Sequence, residues 1–486
     1  MVVSGLRHHT GGEDGRIGDG ESEKGPNLES SGGCSPLQGG QLGRHPGYIG
    51  MPGVKMGSLN LILPYGRRNV TVSLPEGTSV QVLEPRIPVH PSYENDATAL
   101  ITRAVTHPLG TPPLRDIVQP GQRVVIITSD TTRPCPTNIL LPPVLEELRE
   151  AGCDIGDVRL IFAVGAHRHH TRAEQAALIG KSLFGEIECI DSDPEDVIFL
   201  GTTRRGTPVE AFRPVVEADV RICLGVVEFH YFAGYSGGAK ALVPGVCSQR
   251  TIQANHAMML EPGARSGRLV GNPVREDLEE AAAMIGANFI LNVVLGPTKS
   301  VIFASAGDVT EAHRAACAYL DERYKVRLES EFDIVVVSAG GWPKDINLYQ
   351  SQKALDNAAI AVRPESIIIL VAECKEGLGH PVFEEWLTAG QTPDELMERI
   401  RENFVLGGHK AAAIAAVLKG ASVYLVSALS PELVRQCGFV PFATVQEALE
   451  TALARVGSGA RLLVMPYGDL ILPTTPSQRP ALLTSD

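Results

Sequence analysis

The run Val220-Arg221-Ile222-Cys223-Leu224-Gly225-Val226-Val227 leads without a break into Glu228-Phe229-His230-Tyr231-Phe232-Ala233-Gly234-Tyr235-Ser236-Gly237-Gly238-Ala239-Lys240. An apolar run of this kind, without alternation, is the pattern of a strand covered on both faces of a parallel sheet. Its carboxyl end carries a histidine, a loop of small residues and one lysine. The glycines let the backbone approach a ligand closely and turn N–H groups toward an anion. Lys240 adds a charge or a nucleophilic amine. The segment predicts an α/β protein with a nucleotide or cofactor site at its strand ends. Read alone, it also fits a glycine-rich surface turn with a solvated lysine.

The same alternation extends in both directions. Upstream, Leu59 to Leu63, Val70 to Leu74 and Val80 to Leu83 read as short strands separated by turn residues, followed by a helix from Ala97 to Thr106. Arg123 to Thr128 and Val158 to Val164 are buried-type strands, with an amphipathic helix from Asn138 to Ala151 between them. Downstream come helices at Gln249 to Met259 and Val274 to Ile285, strands at Phe289 to Leu295 and Val301 to Ala304, and a connecting helix from Thr310. A fresh α/β unit opens at Phe332 and continues through strands at Ser366 to Val371, Ser422 to Val426 and Arg461 to Met465. The expected architecture is two α/β domains with largely parallel sheets and an interdomain active-site cleft. The expected division is a disordered leader over 1–56, an N-terminal cofactor-binding domain over 57–328 and a C-terminal domain over 329–486 that closes over the substrate.

At 486 residues the chain exceeds one ordinary core. Its formal net charge of -13, with no long basic run, argues against a nucleic-acid surface. Any anionic ligand must therefore be held by local groups. Nine cysteines without a CxxC motif read as reduced thiols of a cytoplasmic protein. No apolar run is long enough to span a bilayer, and no membrane partner is expected.

Three further segments carry chemistry. Ser129-Asp130-Thr131-Thr132-Arg133-Pro134 follows a strand directly; Asp130 can accept from ribose hydroxyls and Arg133 can clamp a carboxylate or phosphate. Equally, Asp130 can cap the helix after Pro136. Gly165-Ala166-His167-Arg168-His169-His170-Thr171 ends the next strand. His167, nearest the strand, is the favoured acid/base group, since histidine titrates near neutrality. Thr171 and Glu174 form a capping-box pattern that leaves His169 and His170 as exposed loop residues. In the second half, Gln350 and Lys353 share a helical face after Gly340-Gly341-Trp342-Pro343-Lys344, and Gly377-Leu378-Gly379-His380-Pro381 is a second candidate loop.

In this order and spacing, these residues resemble the lactate racemases that depend on a nickel-pincer nucleotide. The resemblance runs from about Met56 onward and rests on Ser129 to Pro134, Gly165 to Arg168, His230 to Lys240, His256, and Tyr349-Gln350-Ser351-Gln352-Lys353. It implies a 2-hydroxy acid racemase or epimerase whose cofactor, a pyridinium-3-thioamide-5-thiocarboxylate mononucleotide carrying nickel, is attached at Lys240. By position, His256 would be the protein's nickel ligand and His167 and His230 the two acid/base histidines. Asp130, Arg133 and the segment Gly234, Tyr235 and Ser236 would hold the nucleotide. Arg133, Gln350 and Lys353 would hold the small-molecule substrate, and separate cofactor-synthesis enzymes would load the site. A tryptophan that lines the pocket of lactate-specific members has no counterpart near Gly407-Gly408-His409-Lys410. With no extra arginine cluster to mark a second carboxylate, short aliphatic 2-hydroxy acids are the first expectation, with a sugar acid or malate as alternatives. Two competing readings share the same lysine: a pyridoxal-phosphate enzyme and a non-catalytic nucleotide-binding protein.

Overall fold

In the computed structural model, the expected strands at 124, 158 and 220 are direct neighbours. Val124–Ser129 pairs in parallel with Val220–Val226 on one side and Val158–Ala163 on the other. They form the centre of a six-stranded sheet ordered Val301–Gly307, Phe289–Leu295, Val220–Val226, Val124–Ser129, Val158–Ala163, Glu188–Asp191, in which only the edge strand Val301–Gly307 runs antiparallel. Alternate side chains enter two separate cores. Val125, Ile127 and Cys223 pack on one face, and Val124, Ile126, Ile222 and Leu224 on the other. Helix Thr137–Glu150 covers the second face with Leu140, Leu141, Val144 and Leu148, while Pro273–Ile285 and Glu311–Tyr324 cover the first. Burial on both faces is why these strands read as unbroken apolar runs.

The structure describes residues 59–74, 78–86, 97–165, 167–457 and 459–476, so the leader expected over 1–56 lies outside the described residues. A second six-stranded sheet, wholly parallel, is ordered Val440–Phe442, Ala421–Val426, Val362–Val371, Phe332–Ser338, Arg461–Met465, Ser79–Val82. Helix Val445–Val456 packs on one face of it, and Leu348–Ala359 and Gly408–Gly420 on the other. The chain is thus an α/β protein with two largely parallel sheets.

One boundary differs from expectation. Ser79–Val82 pairs with Arg461–Met465 in register Val80↔Leu462, and the hairpin of Leu59–Tyr65 with Arg68–Leu74 packs Leu63, Tyr65, Val72 and Leu74 against Ile334, Val336 and Ile369. These residues, expected within 57–328, are built into the second lobe. The physical reason is local incompleteness: an isolated hairpin is marginal in water, and the edge of Arg461–Met465 otherwise offers an unpaired ladder. The strands Glu188–Asp191, Val197–Thr202 and Pro208–Phe212 carry no expectation from the sequence. The eight described cysteines are unpaired, and no described helix is long and apolar enough to cross a membrane.

Candidate functional site

Because Val220–Val226, Val124–Ser129 and Val158–Ala163 are parallel neighbours, their carboxyl ends fall on one edge, and the three motif-bearing loops leave the sheet side by side. The second lobe faces them with helix Leu348–Ala359, the start of helix Gly408–Gly420 and the loop before Pro381–Thr388. Between them lies a cavity of about 190 Å³, lined among others by Asp130, Arg133, His167, His230, Ser236, Lys240, His256, Gln350 and Lys353. Residues separated by more than two hundred positions therefore meet at one place.

Gly234 and Tyr235 do not. A Cβ on Gly234, whose φ is 78°, would lie 2.0 Å from the Arg268 carbonyl oxygen. That glycine serves a backbone crossing, not a ligand. Tyr235 is buried, and its hydroxyl donates to Asp321 Oδ1 at 2.6 Å. The cavity is approached instead by Gly237, where a Cβ would sit 2.7 Å from the Val227 side chain. Ser236 lines the cavity, and its hydroxyl also braces the loop, donating to the Val226 carbonyl and accepting from the Glu228 N–H, both at 2.8 Å.

The loop is fixed from beneath by residues the sequence reading passed over. Arg275, fully buried in helix Pro273–Ile285, donates through Nε to the Ala233 carbonyl at 3.1 Å and through Nη2 to the Tyr235 carbonyl. Asn272 donates to the Phe232 carbonyl at 2.8 Å, Asn292 accepts from the Gly238 N–H at 2.8 Å, and His313 Nε2 lies 2.9 Å from the Ser236 carbonyl. The available signal was Arg275 itself, a charge amid the apolar positions Val274, Leu278 and Ala281 of a helix's buried face. Such a charge is retained only where it is hydrogen-bonded.

Asp130 is buried and does not cap a helix. Its carboxylate accepts from His167 Nδ1 and from the Thr132 N–H and hydroxyl. Burial pushes its pKa up, but the His167 hydrogen bond and charge, the Arg133 charge and the Thr132 hydroxyl outweigh it and hold the group below its usual value. With Nδ1–H given to Asp130, the Nε2 lone pair of His167 is left free to accept a proton. His169 is exposed as expected, whereas the His170 side chain is buried: Nδ1 pairs with Asp191 at 2.8 Å and Nε2 accepts from the Thr131 N–H at 3.1 Å. His170 therefore ties two site loops together. Its partner lies on Glu188–Asp191, a strand without a sequence expectation.

The buried bases are held neutral. Burial, then the charges of Lys240, Lys353 and Arg133, hold His230 well below the usual histidine value, and its Nδ1 accepts from the Ala233 N–H at 3.3 Å. Burial, followed by the charge of Lys240, does the same to His256. Lys240 is driven well below the usual lysine value by burial and then by Arg275, Arg133 and Lys353, which favours a neutral, nucleophilic amine. Burial, Arg133 and Lys344 bring Lys353 down to about 7. Among the described residues, Arg133, Lys240, Lys353 and Lys410 all line the cavity and none has a carboxylate within ion-pair distance. Of the carboxylates at the cavity, Glu228 pairs with Lys344 at 2.6 Å and Asp130 is hydrogen-bonded to His167.

The fold and site define a two-lobed α/β protein whose cleft between the sheets is lined by lysine amines and imidazoles held below their usual pKa values by burial. Comparison with known proteins gives that class a family. The profile described as the lactate racemase N-terminal domain matches residues 65–267, and the one described as the lactate racemase C-terminal domain matches 328–472. The chain is 32% identical to the lactate racemase of Thermoanaerobacterium thermosaccharolyticum over 422 residues, covering 84% of this chain and 98% of that protein. It is 31% identical to the lactate racemase of Lactiplantibacillus plantarum, covering 84% and 97%. The solved lactate racemase apoprotein from T. thermosaccharolyticum superposes with a TM-score of 0.77 at 31% identity, over 85% of this chain and all of that one. A Thermotoga maritima protein shares the fold at a TM-score of 0.60 and 18% identity, covering 79% and 98%. The chain belongs to the lactate racemase family.

Proposed function

We propose that this protein is a racemase or epimerase that inverts C2 of a 2-hydroxy acid, working with a nickel-pincer nucleotide attached at Lys240. The observation that carries the reading is the convergence of Lys240, His256, His167 and His230 on one cavity, in a chain whose relatives are lactate racemases. The residues fit such a group. Lys240 is held as a free amine suited to covalent attachment, and His256 as a neutral imidazole suited to nickel. Among the described residues no three His, Cys, Asp or Glu side chains converge as a metal-binding set, so a nickel at His256 needs donors that arrive with the cofactor. When bound, the cofactor supplies the acceptor and donor of the C2 hydride that no side chain provides.

The remaining work falls to side chains. His167, oriented by Asp130, takes the hydroxyl proton through Nε2; His230 serves the hydroxyl of the opposite enantiomer. Two bases are required because the two enantiomers present that proton differently. The resulting 2-keto acid turns in place before the hydrogen returns. Arg133, Gln350 and Lys353 offer donors to the substrate carboxylate, and Arg133 with Asp130 and Ser236 also faces the space for the nucleotide. The two lobes together exclude water from the reacting carbon. The free cysteines suit a reducing, cytoplasmic location.

The test is to produce the full chain together with cofactor-synthesis enzymes, then measure intact mass, metal content and inversion of a panel of 2-hydroxy acids. A nucleotide adduct with nickel that disappears in Lys240→Ala, together with inversion of one substrate, is the expected result. An unmodified mass, or an absorbance typical of a pyridoxal Schiff base, would overturn it.

A further inference from the structure

Helix Gln249–Ala257 brings His256 to the cavity, while the preceding residue, Asn255, is wholly buried and does not line it. Asparagine is a poor helix former, and its amide is costly to bury unless hydrogen-bonded. Here acceptors fix the amide. Nδ2 donates to the Val274 carbonyl at 3.1 Å and to Asp277 Oδ2 at 2.9 Å. A carbonyl can only accept, so the amide nitrogen faces helix Pro273–Ile285 and Oδ1 lies 3.2 Å from His256 Nδ1. Asp277, also fully buried, is set in turn by two hydroxyls: Thr203 Oγ1 donates to Oδ1 at 2.5 Å and Thr207 Oγ1 to Oδ2 at 2.8 Å. The Thr203 oxygen accepts from the Thr207 N–H at 3.0 Å, which leaves its own proton for Asp277. Thr203 and Thr207 are the ends of the turn between Val197–Thr202 and Pro208–Phe212, the hairpin that carried no sequence expectation.

We infer that Asn255 and Asp277 are positioning residues that fix the ring tautomer of His256, with hydrogen on Nδ1 and the Nε2 lone pair offered to nickel. The inference rests on the proposed function for the metal; the hydrogen bonds that set the tautomer stand without it. An amide oxygen only accepts, so Nδ1 must be the ring nitrogen that carries hydrogen. Burial and the charge of Lys240 hold the ring neutral, which leaves it a single N–H. A ring free to exchange tautomers would turn an N–H toward the metal for part of the time, and a ring free to swivel would misplace the lone pair. Giving the other N–H to a fixed acceptor removes both freedoms. The acceptor must itself be held, because a flipped asparagine would aim Nδ2 at Nδ1 and select the opposite tautomer. Val274 and Asp277 block that flip, since it would set the amide oxygen against two acceptors. Anchoring of the helix to the hairpin is supplied separately by Thr251, whose hydroxyl donates to the Pro208 carbonyl at 2.7 Å and accepts from the Glu210 N–H at 3.0 Å. An apolar side chain at 255 would serve packing alone, with no buried carboxylate behind it.

The experiment reads the tautomer by NMR of the ring nitrogens in the full chain labelled at histidine, with the His256 signals assigned through His256→Gln. It is run first without cofactor, then on chain co-produced with cofactor-synthesis enzymes, where intact mass gives the adduct and a chelator challenge gives the rate of nickel loss. Expected is Nδ1–H in the wild type and a mixed or Nε2–H ring in Asn255→Leu. Nickel should leave that variant about 10- to 100-fold faster, with the adduct retained. Thr251→Val, which loosens the same helix from the same hairpin, should lower the unfolding midpoint while tautomer and nickel loss stay as in the wild type. A wild-type ring protonated at Nε2 would overturn the inference; that reading needs no variant, so it decides the matter even where Asn255→Leu fails to fold. Wild-type nickel retention in Asn255→Leu, or equal nickel loss from Asn255→Leu and Thr251→Val, would overturn it as well, reducing Asn255 to an anchor. A wild type with an Asn255-dependent Nδ1–H ring but neither adduct nor nickel would support the tautomer lock and count against the racemase reading.

Discussion

The two walls of the cleft are finished differently. On the first-lobe side, the loop from His230 to Lys240 is held by Arg275, Asn272, Asn292 and His313, which engage the backbone of Phe232, Ala233, Tyr235, Ser236 and Gly238. Its geometry is set before any ligand arrives. On the facing side, burial and neighbouring positive charges bring Lys353 down to about 7 and Lys410 well below the usual lysine value, neither has a carboxylate within ion-pair distance among the described residues, and His380 Nδ1 is buried without a partner. Low-dielectric surroundings make such groups costly, so they are tolerated where a ligand completes them. The contrast separates a wall whose backbone is braced by protein partners from a wall whose polar groups are left for a ligand; on the proposed function, the first positions the catalytic groups and the second meets the substrate. Glu228 joins the two: it pairs with Lys344 of the second lobe at 2.6 Å, and Lys344 also reaches Asp469 at 3.2 Å.

The contrast can be broken most directly at the bases. His167→Ala and His230→Ala are each expected to lower kcat by roughly 10²–10⁴-fold while thermal unfolding stays close to wild type. Near-normal turnover in either variant would remove that histidine from the chemistry. Arg275→Met strips two carbonyls of the positioning wall of their donor and is expected to cost about 2–4 kcal/mol of stability. Calorimetric unfolding at an unchanged midpoint would show that the loop does not need its brace.

The pair that joins the walls has a pH signature. Burial alone would raise Glu228, but Lys344, then Lys353, and the Lys344 hydrogen bond bring it down to about 2 from 4.5. A carboxylate lowered on folding adds stability above its unfolded pKa and loses it as the pH falls through the folded one. Glu228→Gln is therefore expected to cost ~1–3 kcal/mol near neutrality, with the gap to wild type narrowing from about pH 4.5 toward pH 2. Unfolding midpoints followed across that range check the sign; a gap independent of pH would refute the linkage.

The smallest expected effect sharpens the facing wall. With Lys353 at about 7, carboxylate binding should weaken by up to about tenfold per pH unit above neutrality. Lys353→Arg keeps the charge and should flatten that profile, as titration calorimetry between pH 6 and 9 can establish.

The sequence by itself determined the order of the strands and helices that build the centres of the two sheets, the placement of His167, His230 and Lys240 at strand ends, and the capping box of Thr171 and Glu174, which the structure shows intact. Those features depend on side-chain periodicity and on neighbours a few residues apart, so a linear reading contains them. Tertiary structure alone decided that Ser79–Val82 completes the second sheet, that His170 pairs with Asp191, and that Gly234 and Tyr235 turn away from the cavity while Tyr231, His409 and Lys410 turn toward it. Each of these is fixed by a partner far along the chain: an open sheet edge, a buried carboxylate, the Arg268 backbone, or a helix that begins nearly 180 residues later. Local sequence carries no mark of which buried donor or acceptor will meet which, because that pairing is selected only when the two lobes pack and desolvate the groups together.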